Sequence, residues 1–313
     1  MFHVEQFING NYMETLEKCP SCGNKNINNT EIKCKDFLVS GEEFVIQRCD
    51  DCELLITNPR PTLIESGKYY KSSEYISHTD SKKNLFEKTY GFVKNIMLKR
   101  KVKLVKKFFD HREIRLLDYG CGTGDFLVNC KKHKFDVIGI EPDEDARSRA
   151  RKKQIEVFEN QEQLSINNIE KFNAITLWHV IEHIHDLKIV LERLYNAIEE
   201  NGLLIIAIPE HKSLDARIYK EFWAAYDVPR HLYHFNSKAL NNCLSGLKLE
   251  YICKKPLFFD SFYVSILSES NKGRGKVMSF LFGSVIGLIS NIYAFLKITP
   301  YSSQIYIFRK KAL

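Results

Sequence analysis

Ten residues of this chain, LWHVIEHIHD at 177 to 186, hold three histidines, a glutamate and an aspartate directly behind an apolar run. His179, Glu182 and His183 are spaced i, i+3, i+4, so one helical turn points all three to a common side. Such a cluster suits a divalent cation, a histidine acting as base or substrate clamp, or the plain packing of a polar loop. A neutral imidazole titrates near working pH and can take a proton from a weak nucleophile. Asp186 stands where it caps the following helix, DLKIVLERL, and His185 points elsewhere. A second group, DVPRHLYHF at 227 to 235, offers His231 or His234 to the same mouth. Beside it, Arg230 suits a phosphate or carboxylate, and Trp223 and Tyr226 suit a sugar ring, against the plainer reading of a packed loop.

LLDYGCGTGDF, residues 116 to 126, closes an apolar strand on Asp118 and then sets Gly120, Gly122 and Gly124 on alternate positions. Glycines there permit positive φ and let backbone amides approach a ligand at the start of a helix. The order is DxGxGxG, not the GxGxxG of dinucleotide sites. The next strand, VIGI, ends in Glu141, where a carboxylate can take both ribose hydroxyls.

These residues must be carried by alternating elements. Between about 111 and 260, strands (IRLLDYG, FDVIGIE, FNAITLW, GLLIIAIP) alternate with helical patterns (DARSRARKK, HDLKIVLERLYNAIEENG). Strand and helix in strict turn imply an α/β fold, doubly wound around a mostly parallel sheet covered on both faces. HVIEHIHD then leaves the carboxyl end of the fourth strand, where ligands sit in such sheets. SQIYIFRKK forms the closing strand, beside a strand in FFDSFYVSIL.

Here the chain resembles the class I S-adenosylmethionine-dependent methyltransferases, over roughly 90 to 265 plus the final strand, which implies a seven-stranded sheet. In that family the first acid and the glycine turn hold the methionine portion of the cofactor and the second acid holds the ribose. The resemblance thus implies S-adenosylmethionine bound by Asp118, Gly120, Gly122, Gly124 and Glu141. The HVIEH segment is similar to the ExxEH element of ubiquinone-biosynthesis and small-RNA methyltransferases, where two glutamates and a histidine hold a divalent cation. His179 stands at the first position, and imidazole in place of an oxygen ligand shifts a site toward a softer ion or abolishes it. A second divalent metal at the active site is thus one expectation; His183, His179, Glu182 and His231 are the catalytic candidates under either reading. An alcohol and a carbon nucleophile need the same base, so O- and C-methylation both remain.

Cys19-Pro-Ser-Cys22 and Cys49-Asp-Asp-Cys52 form two CxxC knuckles that can converge on one tetrahedral zinc ion, a structural clip. Residues 1 to 58 therefore form a zinc ribbon. Residues 59 to 110 are a linker with NPRP, a lid candidate in YYKSSEYISH (Tyr75 and His78 facing the cleft), and a basic helix. Residues 111 to 313 are the methyltransferase domain. In the basic helix, Leu98, Val102, Val105 and Phe109 make the apolar stripe and the lysines take the other faces. The arrangement ribbon, NPRP, YY and PRHL.HF resembles a bacterial group whose members look like enzymes of surface-glycan or secondary-metabolite pathways. That resemblance implies a small acceptor, sugar-like or phosphorylated, carried on a nucleotide or a lipid.

A net charge of +7 favours an anionic neighbour, yet Asp50, Asp51 and Glu53 on the knuckle argue against nucleic acid. MFHVEQFING lacks the pattern of a secretory signal, and nine cysteines without one point to metal ligands or free thiols in the cytoplasm. An apolar helical insertion at about 277 to 298 carries no charge before Lys297 and is long enough to span a bilayer, but spanning would strand the closing β-strand on the far side. Contact with the inner face of a membrane, flanked by Lys272, Arg274, Lys276 and Lys297, or burial in a core or dimer, are the remaining readings. An RNA methyltransferase and a non-catalytic scaffold are the rival functions.

Overall fold

The structure is a computed structural model that describes residues 3–8, 11–70, 85–109, 113–166 and 171–312. The tyrosine and histidine of the lid candidate, Tyr75 and His78, lie outside them.

The main sheet has seven strands: β7 (Arg115–Tyr119), β8 (Asp136–Ile140), β9 (Glu156–Phe158), β10 (Phe172–Trp178), β11 (Ile198–Pro209), β13 (Leu249–Pro256) and β14 (Ser303–Lys310), in the order β13-β14-β11-β10-β7-β8-β9. Five central strands are parallel, and β14 runs antiparallel between β11 and β13. Strands such as FNAITLW are buried along nearly their whole length, as expected where helices cover both faces. The chain reverses order beside β7, between β10 and β8, and that crevice holds the glycine turn.

Two small sheets stand at the amino end. The strands β3 (Ile27–Lys35), β4 (Glu43–Cys49) and β5 (Leu55–Thr57) form an antiparallel ribbon. Its fourth strand is β12 (Tyr233–His234), contributed by the carboxyl-terminal domain and paired to β5. Asn11–Leu16 lies between His3–Ile8 and Arg60–Pro61 in the third sheet. Arg60 of the NPRP segment is buried, bonded to Glu14 (2.6 Å) and to the Tyr233 hydroxyl (2.6 Å). The amino-terminal sheets and the carboxyl-terminal domain thus share backbone pairing and the buried Arg60–Tyr233 hydrogen bond.

Three local expectations change. FFDSFYVSIL is not a strand: residues Asp260–Asn271 are helical, and Ser261, Ser265 and Ser268 mark a buried face at helical spacing that outweighs its β-branched and aromatic content. The partner of β14 is instead LEYICKKP. The helix Leu187–Ala197 stops five residues early, and IEENG joins β11, where Ile198 pairs with Phe172. In the helix Leu85–Lys106, Val102 and Val105 are buried as expected, but Lys101 turns inward rather than to solvent, its ammonium 4.3 Å from the Trp178 ring centroid.

The apolar run is the helix Lys276–Phe295, folded back on Asp260–Asn271. Ser279, Gly283, Gly287, Ser290 and Ala294 form its buried stripe. A Cβ at Gly283 would stand 2.5 Å from the Ile266 Cα, so only glycine allows this approach of the two backbones. The hairpin returns directly to β14, which keeps both ends at the sheet.

Candidate active site

Asp118 ends β7 with its carboxylate buried, accepting a 2.6 Å hydrogen bond from the Thr176 hydroxyl. Burial pushes it up to about 7, against the pull of Thr176 and Lys101. Gly120, Gly122 and Gly124 follow at φ of +75°, +53° and +76°, and Gly124 starts the helix Asp125–Lys132. Glu141, at the end of β8, accepts from the Gly122 amide at 2.8 Å and the Asp143 amide at 3.0 Å, which fixes its carboxylate beside the turn. All five cofactor candidates therefore come together at one crevice, with acid, amides and second acid in sequence around it.

The opening histidine loop lies against that turn. A Cβ on Gly120 would come within 2.5 Å of Val180, so the two segments touch. His179 has φ +58°, and only Ile181–His183 forms a short 3-10 turn. The regular helical turn expected there is absent, and the three side chains do not face one way. His179 Nε2 lies 3.0 Å from Asp260 Oδ2, and its Nδ1 3.5 Å from Glu182 Oε1. Burial opposes its charge, but Asp260 and Glu182 together lift it to about 9. His179 is accordingly an ion-pair partner, bound outward to the hairpin.

The cluster that forms is Glu182, His183 and His231, with one donor atom of each within 4.8 Å of the others. His183 and His231 rings meet edge to face at 4.6 Å. The Nδ1 of each sits 2.9 Å from a backbone carbonyl, Arg230 O and Ala225 O respectively. A carbonyl only accepts, so each Nδ1 carries a proton, and in a neutral ring Nε2 keeps its lone pair. Burial, with His231 beside it, depresses His183 to about 4 and keeps it neutral. Glu182 Oε2 is buried without a hydrogen-bond partner and Oε1 has only the long His179 contact at 3.5 Å, while the nearby histidines, His179 first, hold the group below its usual range against burial. Two imidazoles oriented through their far nitrogens and a carboxylate with vacant lone pairs make a donor set that fits a divalent cation.

The remaining candidates are used for packing. Arg230 is 3% exposed and pairs with Asp36 (2.9 Å) and Asp227 (2.7 Å), joining the ribbon to this loop rather than meeting an acceptor. Trp223 donates to Asp215 at 2.8 Å, and Tyr226 is buried against His234, whose Nε2 faces the Thr57 hydroxyl. His185 reaches the Pro61 carbonyl, and Asp186 stands at the helix start without making a cap bond. Sequence reasoning missed Lys101 and Asp260, which face Asp118 and His179, and Tyr70, whose hydroxyl lies 3.0 Å from His183 Nδ1. A lysine in a run of lysines and an aspartate in an apolar stretch carry no motif.

In the ribbon, Cys19, Cys22, Cys49 and Cys52 converge with all four sulfurs within 4.8 Å, the pairs Cys19–Cys52 and Cys22–Cys49 at 3.4 and 3.5 Å. Four thiolates at 2.3 Å from a tetrahedral ion lie about 3.8 Å apart, so the knuckles fit zinc.

A family profile described as a methyltransferase domain matches residues 93–254. Among curated proteins, the ubiquinone biosynthesis O-methyltransferase of Azorhizobium caulinodans is 25% identical over 124 residues, covering 37% of this chain and 49% of that protein. The chain thus spans about half the length of the curated relatives it matches. Of solved structures, magnesium protoporphyrin IX methyltransferase from Synechocystis PCC 6803 with bound SAH superposes with a TM-score of 0.51 at 13% identity, over 78% of this chain and 97% of that one. The plantazolicin methyltransferase in complex with a substrate analogue and SAH gives 0.50 at 16% identity, over 79% and 94%. With the glycine turn, the paired acids and the sheet order in agreement, this chain belongs to the methyltransferase domain family and has the class I S-adenosylmethionine-dependent fold.

Proposed function

We propose that the protein transfers the methyl group of S-adenosylmethionine to a hydroxyl of a small acceptor, sugar-like or phosphorylated. The observation that carries this is the Glu182, His183 and His231 cluster directly beside the cofactor turn. Methyl transfer from a sulfonium is an in-line displacement, and an alcohol attacks poorly until its proton is removed. His183, kept neutral by burial, can take this proton, and His183 and His231 with Glu182 would hold a divalent cation. A cation there would lower the pKa of the acceptor hydroxyl. The donor chemistry and the relatives named as O-methyltransferases support oxygen over carbon as the methylated atom. Resemblance to zinc-bearing glycan enzymes supports the sugar-like acceptor, and the exposed apolar face of Lys276–Phe295 supports a peripheral place on the inner face of a membrane, where a lipid-linked acceptor lies.

The test uses His183→Ala and Glu182→Gln in the zinc-bound protein. Labelled S-adenosylmethionine is incubated with acceptor fractions from cell extract, and SAH affinity is measured by calorimetry. Transfer should vanish in both variants with SAH affinity retained, and bound manganese, followed by its paramagnetic resonance, should drop by one ion per chain. Undiminished turnover of His183→Ala would remove its assigned role.

A further inference from the structure

The carboxyl end of the apolar helix opens onto a cleft of about 800 Å³ that the reading so far does not use. Lys254 and Lys255 at the end of β13, Lys297 just past the helix, Thr299, Tyr301 and Gln304 line it. The three lysines are exposed and enter none of the ion pairs among the described residues. Thr299 and Gln304 are 7% and 3% exposed, and the Thr299 hydroxyl and the Gln304 amide nitrogen have no hydrogen-bond partner. A buried amide donor without an acceptor is costly, and a ligand oxygen would recover that cost. The carboxyl group lining the cleft, Glu210, is buried, its oxygens near the Lys212 amide and the Tyr306 hydroxyl, with Lys254 among the charges acting on it. Phe295 and Ile298 form an apolar wall.

That wall continues onto the helix face. Val277, Leu281, Val285, Leu288, Phe295 and Ile298 are each more than half exposed, and the helix contains no acidic residue. Lys272 and Lys276 flank one end and Lys254, Lys255 and Lys297 the other. A second copy packed face to face about a two-fold axis would set these like charges together, whereas an anionic surface meets both ends favourably.

We propose that the helix Lys276–Phe295 lies in the plane of an anionic bilayer, and that the cleft at its carboxyl end takes the phosphate of a phospholipid headgroup. Lys254, Lys255 and Lys297 supply the charge, the Gln304 amide donates to the phosphate, and the acyl chains run along Phe295 and Ile298. The helix carbonyls at that end disfavour an anion, an effect the three lysines outweigh. This assignment rests on the membrane-surface reading above.

Flotation of the full-length zinc-bound protein with vesicles of phosphatidylcholine alone, or mixed with phosphatidylglycerol, tests both. Wild type should favour the phosphatidylglycerol vesicles. Each lysine near the surface contributes about fivefold in affinity, so Lys254→Gln, Lys255→Gln and Lys297→Gln together should cost on the order of 100-fold. Gln304→Leu leaves the surface charge unchanged and should still weaken phosphatidylglycerol binding several-fold, with phosphatidylcholine binding unaltered. Leu281→Glu with Leu288→Glu should abolish both. Wild type that floats with neither vesicle overturns the membrane reading itself. Wild type that prefers phosphatidylglycerol while Gln304→Leu behaves identically overturns only the headgroup cleft. Saturable binding of free glycerol phosphate without vesicle binding overturns the lipid as its source.

Discussion

Alanine at Gly120 tests whether the cofactor turn and the histidine loop are one mechanical unit. The backbone there has φ +75°, and a new Cβ would meet Val180 Cγ2 at 2.5 Å and Cγ1 at 2.9 Å. A left-handed conformation costs a residue with a Cβ about 1–2 kcal/mol. Forcing a methyl group into an occupied site costs about 1–3 kcal/mol more. The sum, about 2–5 kcal/mol, must appear as lost folding stability, weaker SAH binding, or both; taken wholly as affinity it is about thirtyfold to a few thousandfold. Urea unfolding and calorimetry with SAH measure the two shares. Val180→Ala in the same chain should restore the contact portion and leave the backbone portion. A Gly120→Ala protein within about 0.5 kcal/mol of wild type in both assays refutes the reasoning. A double variant no better than the single one refutes the contact with Val180 as its source.

Three further outcomes are expected. Under the proposed cofactor assignment Asp118, lifted to about 7 by burial, ionises to hold the cationic end of S-adenosylmethionine. Its pKa falls on binding, so affinity should rise with pH through about 7, with proton release seen in buffers of different ionisation enthalpy; Asp118→Asn should lose that dependence. Arg230→Met leaves Asp36 and Asp227 buried without their cation, at a cost of about 3 kcal/mol in urea unfolding. In wild type both carboxyls are held low against burial, Asp36 by the Ser40 amide and then by Arg230, Asp227 first by Arg230, so this stabilisation is complete above the unfolded value of about 4 and lost as pH falls through the folded values; the variant should lose less on acidification. Elemental analysis should find one zinc per chain in the ribbon, and Cys49→Ser should lower the melting temperature of the whole chain, because β12 of the catalytic domain pairs with the ribbon.

The α/β alternation, the cysteine knuckles and the DxGxGxG turn were legible because each is local: a period, a fixed spacing, or a backbone demand that only glycine meets. The cofactor crevice followed, since Asp118 and Glu141 end neighbouring strands. Of the four residues read as acting together, Glu182, His183 and His231 converge and His179 does not, and the helical turn expected to align them is absent. His179 adopts a left-handed φ and pairs with Asp260, 81 positions away, while His231 enters from the loop after β11. Long-range pairing of that kind leaves no periodic trace. Arg230 read as an acceptor ligand because its type fits phosphate; its partner Asp36 lies 194 positions earlier in the ribbon, and burial reverses its meaning. Gly283 and Gly287 carry no motif inside the apolar run, and in three dimensions they are the seam along which two helices touch.

The strand pair β5·β12 makes the metal module impossible to exchange by itself. Thr57 donates to the carbonyl of His231, and Ser21 to that of Ala239, so the scaffold under the second active-site imidazole is built partly from the cysteine-bearing segment. A chimera that grafts another ribbon onto this enzyme must therefore carry residues 227–239 with it, or the imidazole loses the floor on which it is oriented.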